Sequence, residues 1–253
     1  MIQPLKDPAP VAPLFGDWPE TILWSCLQGI MGTVYADDPA APHSAAAVLG
    51  DFCFLAGAPI PELAEQALQG RASRILIPKD GRWNALILQR FGDRATPITR
   101  YATRKTPAVF DRPHLQKLAS GLEKPYTISI INKLLYHLCK EDAWSRDLVS
   151  QFPDWSAFQE LGLGFVILQN GRPVSGASSY SRYRKGIEIE IDTHPDHRRR
   201  GLALACGARL ILACLDRGLY PSWDAHTPAS LALAERLGYT LSHPYPAFFV
   251  SGL

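Results

Sequence analysis

The sequence predicts an α/β (α+β) protein: a mixed central sheet flanked by helices in the C-terminal half, preceded by a smaller α/β domain. Three observations carry this. Short apolar strands alternate with amphipathic helical stretches along the whole chain. The 253 residues are 47% hydrophobic, enough for a buried core in one large domain or two small ones. The segment Gly186 to Ala203, GIEIEIDTHPDHRRRGLA, reads as a strand, a polar turn and the start of a long helix.

That segment organises the rest. Ile187, Ile189 and Ile191 alternate with Glu188, Glu190 and Asp192, so the isoleucines share one face and the carboxylates line the other, which is expected to be wet. The following run LALACGARLILACL is too long for a strand and predicts a largely buried helix. Arg198, Arg199 and Arg200 therefore stand where a helix begins, at the end already carrying roughly half a positive charge. A bound anion would satisfy the free N–H groups, the dipole and the guanidinium groups together, and a phosphate suits best. Gly201 fits this reading, because a residue without Cβ lets a phosphate approach the backbone. A solvated basic turn is the alternative.

In order, the chain opens with a proline-rich stretch that lacks the pattern of a signal peptide. Helix is expected over 20–30, extended chain over 32–36, a strand or strand pair over 45–56, and helix over 61–69. A strand at 73–77, a helix at 84–91 and a strand at 98–103 complete a domain of residues 1–105. Residues 106–124 carry Pro107, Pro113 and Gly121 and read as a linker or interdomain helix. The second domain, 125–253, opens with a strand at 126–131 and helices at 133–140 and 144–152, then a helical turn at 154–160. Asn170-Gly171 marks a tight hairpin between strands at 165–169 and 173–180. The central strand at 187–193 and its helix precede a strand at 219–223, a helix at 230–239 and a last strand at 247–250.

The spacing Arg198-x-x-Gly201-x-Ala203 after the central strand resembles the acetyl-CoA signature of the GNAT N-acetyltransferases, usually written [QR]-x-x-G-x-[GA]. The downstream strand and SLALAERLGY (230–239) are similar to that family's following elements, and the whole chain resembles its zwittermicin A resistance type. The resemblance implies an acetyl-CoA-dependent N-acetyltransferase acting on a primary amine, with an antibiotic or other toxic amine as acceptor. It also implies that Ile191, Asp192 and Thr193 receive the pantetheine arm through main-chain atoms. Arg199 to Leu204, including Arg200, Gly201, Leu202 and Ala203, would cradle the pyrophosphate, with charge added by Arg198, Arg199 and Arg200. The N-terminal domain is then either a degenerate copy of the same fold without cofactor binding or an unrelated α/β domain.

Attack on a thioester needs the amine's proton removed, and Glu188 and Glu190 are candidate bases by position and face. Many relatives carry an asparagine before the last helix and a tyrosine within it that protonates the leaving thiolate; Thr227 and Ala234 stand there instead. Thr227, with Ser230, retains hydrogen-bonding capacity toward the cofactor, whereas Ala234 has no proton to give, leaving Tyr239, Tyr245 or a water. This gap keeps open a second reading, a CoA-binding regulatory protein without transferase activity. A protein or aminoacyl-tRNA acceptor is a third.

Charge and composition narrow the field. The net charge of +2 provides no global field for nucleic acid, so no nucleic-acid partner is expected. Five cysteines without a CxxC pair read as reduced core residues of a cytoplasmic protein. No apolar run is long enough for a membrane span. His194 and His197 lie on a turn without helical zinc spacing, so no metal is expected. The assembly state is open between monomer and homodimer.

Overall fold

The computed structural model describes residues 2–252. They form two compact units, one of residues up to Arg100 together with those from Pro244 onward, the other of Tyr101–His243. The end of the chain thus returns to the first unit, whereas the sequence placed residues 125–253 together.

In the first unit, β1 (Gln3–Pro4) and short helix α1 (Ala12–Phe15) lead to α2 (Thr21–Leu27), β2 (Thr33–Ala36), β3 (Ser44–Leu49) and β4 (Phe52–Gly57). Helix α3 (Pro61–Gln66), β5 (Ser73–Pro78), α4 (Gly81–Phe91) and β6 (Ala95–Thr103) follow. Strands β2, β3 and β4 are antiparallel neighbours, and β4 pairs with β5 in parallel. Helix α4 starts a turn earlier than the apolar spacing predicts, because Asp80 caps the amides of Arg82 and Trp83. Trp83 is fully buried and donates its indole N–H to Gly57 O at 3.1 Å.

The second unit contributes α5 (Arg112–Ser120), β7 (Thr127–Ile130), α6 (Lys133–Glu141), α7 (Trp155–Leu161), β8 (Gly164–Gln169), β9 (Arg172–Tyr183) and β10 (Gly186–Thr193). It continues through α8 (Leu202–Asp216), β11 (Tyr220–Ser222), β12 (Asp224–Ala225) and α9 (Pro228–Arg236). Its sheet has the order β11-β10-β9-β8-β7, antiparallel except for the parallel β10·β11 pair. The last strand, β13 (Leu241–Ser251), pairs through Phe248–Ser251 with β5 of the first unit.

The expected helix over 144–152 is absent. Ser145 Oγ donates to Cys139 O at 2.9 Å, and only a 3-10 turn, Arg146–Leu148, forms. Pro153 disfavours helical geometry at Phe152. The turn has its own use: Leu148 is fully buried against Gly176 of β9, where a Cβ would lie 2.3 Å from Leu148 Cδ1.

Helix α8 is apolar all round because it is covered on two sides. Leu202, Cys206, Leu210 and Ala213 pack with Phe165, Ala177 and Ile187 of the sheet, while Leu204, Ala208 and Ile211 pack with Leu115 of α5, Trp223 and Leu237.

Gly186 sets the start of β10. A Cβ there would lie 2.1 Å from Tyr220 O and 2.3 Å from the Tyr183 hydroxyl, so the close β10·β11 approach needs glycine. Gly186→Ala is expected to destabilise the protein by about 2 kcal/mol, measured as a lower urea midpoint followed by tryptophan fluorescence.

Candidate active site

Strands β10 and β11 stay together for three residue pairs, Gly186↔Tyr220, Ile187↔Pro221 and Glu188↔Ser222. Strand β10 then runs on for Ile189–Thr193 without β11 beside it. A register shift falls at the same point, since Glu188 pairs with Ser181 but Ile189 with Ser179, leaving Tyr180 as the extra residue of a β-bulge. The parting opens one edge of β10 over Ile189–Thr193, a stretch that includes Ile191, Asp192 and Thr193.

The opened edge is held by the strand's own carboxylates. Ile191 N–H donates to Glu190 Oε1 at 3.2 Å, and Thr193 N–H to Asp192 Oδ1 at 2.6 Å. Behind it, Thr193 Oγ1 and Ser175 Oγ are 2.7 Å apart, fixing the strand end to β9. Burial raises the Asp192 pKa; the Thr193 amide and Arg198 counter this, and Asp147 adds to it. Arg198 braces the same turn, with Nε–H donating to Thr193 O at 3.1 Å and Nη2 3.9 Å from Asp192 Oδ1.

The carboxylate face is not uniformly wet, contrary to the strand's alternation. Glu190 and Asp192 are half-buried, but Glu188 is only 5% exposed. Three phenols feel its charge: Tyr183, Tyr220 and Tyr239, all raised first by burial, with Tyr220 pushed up to about 12. These rings come from β9, β11 and the segment after α9, so strand periodicity alone does not reveal them.

Helix α8 shares with the short helices α1, α2 and α3 a start without a side-chain cap, and among these its N-cap has the left-handed conformation. Asp80, Asp111, Asn132, Asp154 and Thr227 cap α4, α5, α6, α7 and α9 with side-chain oxygens. Helix α8, the longest, begins at Gly201 with no side-chain cap. Its first backbone bond runs from Ala205 N–H to Gly201 O at 3.1 Å, so the amides of Leu202, Ala203 and Leu204 belong to the unbonded first turn. Arg199 and Gly201 have φ of 60° and 75°, left-handed values of the kind found in the backbone turns that hold anions. A non-glycine residue held at such an angle is uncommon and frequent at functional sites.

Other predicted residues have structural partners. Thr227 Oγ1 accepts from Ser230 N–H at 3.1 Å, and Ser230 Oγ from the Trp223 indole at 3.2 Å, so both hydroxyls organise the start of α9. Ala234 is fully buried. Tyr239, proposed from sequence as a proton source, is 3% exposed and donates its hydroxyl proton to Pro221 O at 2.6 Å. Tyr245 belongs to the first unit. Among the described residues there is no cluster of three metal-ligating side chains, and no helix is long and apolar enough to cross a membrane.

An open strand edge beside an uncapped, arginine-flanked helix start is a place for an extended ligand with an anionic end. The GNAT acetyltransferase family matches residues 12–248 of the chain. A crystal structure of a GCN5-related N-acetyltransferase-like protein from Streptococcus suis 89/1591 is 52% identical, with a TM-score of 0.92 over 95% of this chain and 97% of that one. The uncharacterized N-acetyltransferase YdfB of Bacillus subtilis (strain 168) is 27% identical over 247 residues, 90% of each chain. A tandem GNAT protein from the clavulanic acid biosynthesis pathway shares the fold at 9% identity, with a TM-score of 0.56 over 99% of this chain and 98% of that one. The chain therefore belongs to the GNAT acetyltransferase family and is an acyltransferase.

Proposed function

We propose that this protein transfers an acetyl group from acetyl-CoA to the primary amine of a small molecule, using the β10 edge and the α8 turn as the cofactor site. The observation that carries the reading is the parting of β10 from β11 immediately after Glu188 and Ser222. The residues fit the cofactor's chemistry. Ile191, Asp192 and Thr193 offer main-chain groups to an amide-bearing arm, and Arg199 to Leu204 offer amides and positive charge to phosphates. Thr227 and Ser230 act by holding the start of α9 against Trp223.

Acetyl-CoA supplies an activated thioester. The amine nitrogen bonds to its carbonyl carbon, the carbon–sulfur bond breaks, and the proton lost by the ammonium passes to a carboxylate of β10. Glu190 and Glu188 are the bases available on that strand. Glu190 must release Ile191 N–H when the edge is paired, which frees its carboxylate at the moment the site fills. Buried Glu188 places a carboxyl group beside the bulge, where little water reaches it. With Ala234 in the core and the Tyr239 proton committed to Pro221, the leaving thiolate takes its proton from water.

The whole-chain resemblance to the zwittermicin A resistance type supports an antibiotic or other toxic amine as acceptor, and the five buried free cysteines suit a reducing cytoplasm. The first unit reads as a degenerate copy. Its order α2-β2-β3-β4-α3-β5-α4 parallels α7-β8-β9-β10-α8-β11-α9 once the two-residue β12 between β11 and α9 is set aside. Its parallel pair is closed by four residue pairs and by Lys79 N–H to Leu55 O at 2.9 Å. Pro59 and Pro61 remove amide donors from the turn into α3.

Acetyl-CoA at about 100 times its Kd is expected to raise stability by roughly 2.7 kcal/mol, a shift of several degrees. Gly201→Asp, which puts a carboxylate on the α8 turn, abolishes the shift; no shift in the wild type at millimolar acetyl-CoA ends this reading. For catalysis, the carboxylate whose amide variant, Glu188→Gln or Glu190→Gln, loses about 100-fold in kcat while keeping that thermal shift is the base. Full turnover by both variants removes them from the mechanism. Tyr239→Phe is expected to cost about 1 kcal/mol of stability with turnover retained, and a large loss of kcat would restore it as the proton donor.

A further inference from the structure

A side-chain chain runs across the arginine turn from the strand at the far edge of the sheet. Arg200 Nη1–H donates to the Tyr126 hydroxyl oxygen at 2.9 Å, and Arg200 Nη2–H to Asp196 O at 3.0 Å. The same hydroxyl lies 3.2 Å from His197 Nδ1. A guanidinium only donates, which leaves the tyrosine's own proton available to His197 Nδ1 in the neutral Nε2–H tautomer. The Tyr126 ring is half-buried, packs beside the core that holds β8 and α8, and meets the His197 ring edge-on at 6.1 Å. A fixed ring thus anchors a long cationic side chain that an exposed turn would otherwise leave free to sample many rotamers.

We infer that Tyr126 is a positioning residue for the cofactor, holding the Arg200 guanidinium at the phosphate-binding turn while His197, as the neutral acceptor, fixes the direction of the tyrosine's proton. This rests on the cofactor reading above. The groups facing His197 are Arg200, His194, Asp196 and Tyr126. Burial, then Arg200 and His194, lower its pKa against an opposing pull from Asp196, so the neutral acceptor prevails near pH 7. His194 is in turn seated against Trp144, with ring centroids 5.8 Å apart, which keeps the second imidazole beside the first. The Arg198 and Arg200 tethers leave Arg199 as the member of the run without an internal acceptor among the described residues.

Tyr126→Phe preserves the packed ring and removes only the hydroxyl. It is expected to raise KM for acetyl-CoA about three- to tenfold, with kcat within about twofold and an unchanged melting temperature without ligand. The His197 imidazole, followed by NMR titration, should move to higher pKa, because its neutral form loses a donor; the rise in KM without a change in unliganded stability is what a merely structural tyrosine would not produce. Arg200→Gln should raise KM similarly, and the double variant should be no worse than Arg200→Gln alone. Unchanged KM in Tyr126→Phe, or additive losses in the double variant, overturns the positioning role while a wild-type thermal shift abolished by Gly201→Asp keeps the cofactor site. Absence of any acetyl-CoA shift in the wild type overturns both.

Discussion

The constraint on which the site depends is the short parallel pairing of β10 with β11. Backbone amides and carbonyls at a sheet edge need partners, and a strand that loses its neighbour midway must find others. Gly186 of β10 permits the close approach at the start, and a bulge in β9 at Tyr180 falls where the pairing ends. The edge amides of Ile191 and Thr193 turn to Glu190 and Asp192 of the same strand. Such self-made bonds use flexible side chains as acceptors and are exchangeable for a ligand's carbonyl groups, unlike a complete strand ladder.

The first unit shows what the same order of elements becomes without that parting. Its β4 and β5 remain paired through Leu55↔Pro78, and β4 extends only two residues further. Helix α3 is entered through extended Ile60 and opens on Pro61, where α8 is entered through left-handed Gly201 and opens on Leu202. The difference between an open edge and a closed sheet is thus a matter of a few residue pairs and the amides at one helix start.

Much of this was legible along the chain. Asn170-Gly171 with positive φ at both positions, the alternation of β10 and the apolar run of α8 are local features, and the structure has the corresponding elements. The segment 144–152 misled because its apolar residues follow helical spacing while Ser145 and Pro153 stop the helix; Leu148 is apolar in order to fill the space over Gly176. Glu188 misled for a different reason. Alternation assigns a side chain to a face, but the covering of that face comes from Tyr183, Tyr220 and Tyr239, which only tertiary structure assembles. Tyr126 carries no signal in sequence at all, since its role depends on meeting Arg200 and His197 across more than seventy positions.

The three consecutive arginines are chemically alike but not equivalent. Arg198 is turned back to Thr193 O and Asp192, and Arg200 is held by Tyr126 and Asp196 O. Arg199, in a left-handed conformation, has no acceptor among the described residues. Two guanidinium groups therefore reduce their mutual repulsion through internal oxygens, while the third adds its charge to the positive end of α8, where it is unfavourable by itself. Strain, like charge and uncapped amides converge on this one turn, and under the proposed function each is relieved by the same event, the arrival of the cofactor's phosphates. On that reading the turn trades stability in the empty protein for affinity in the filled one.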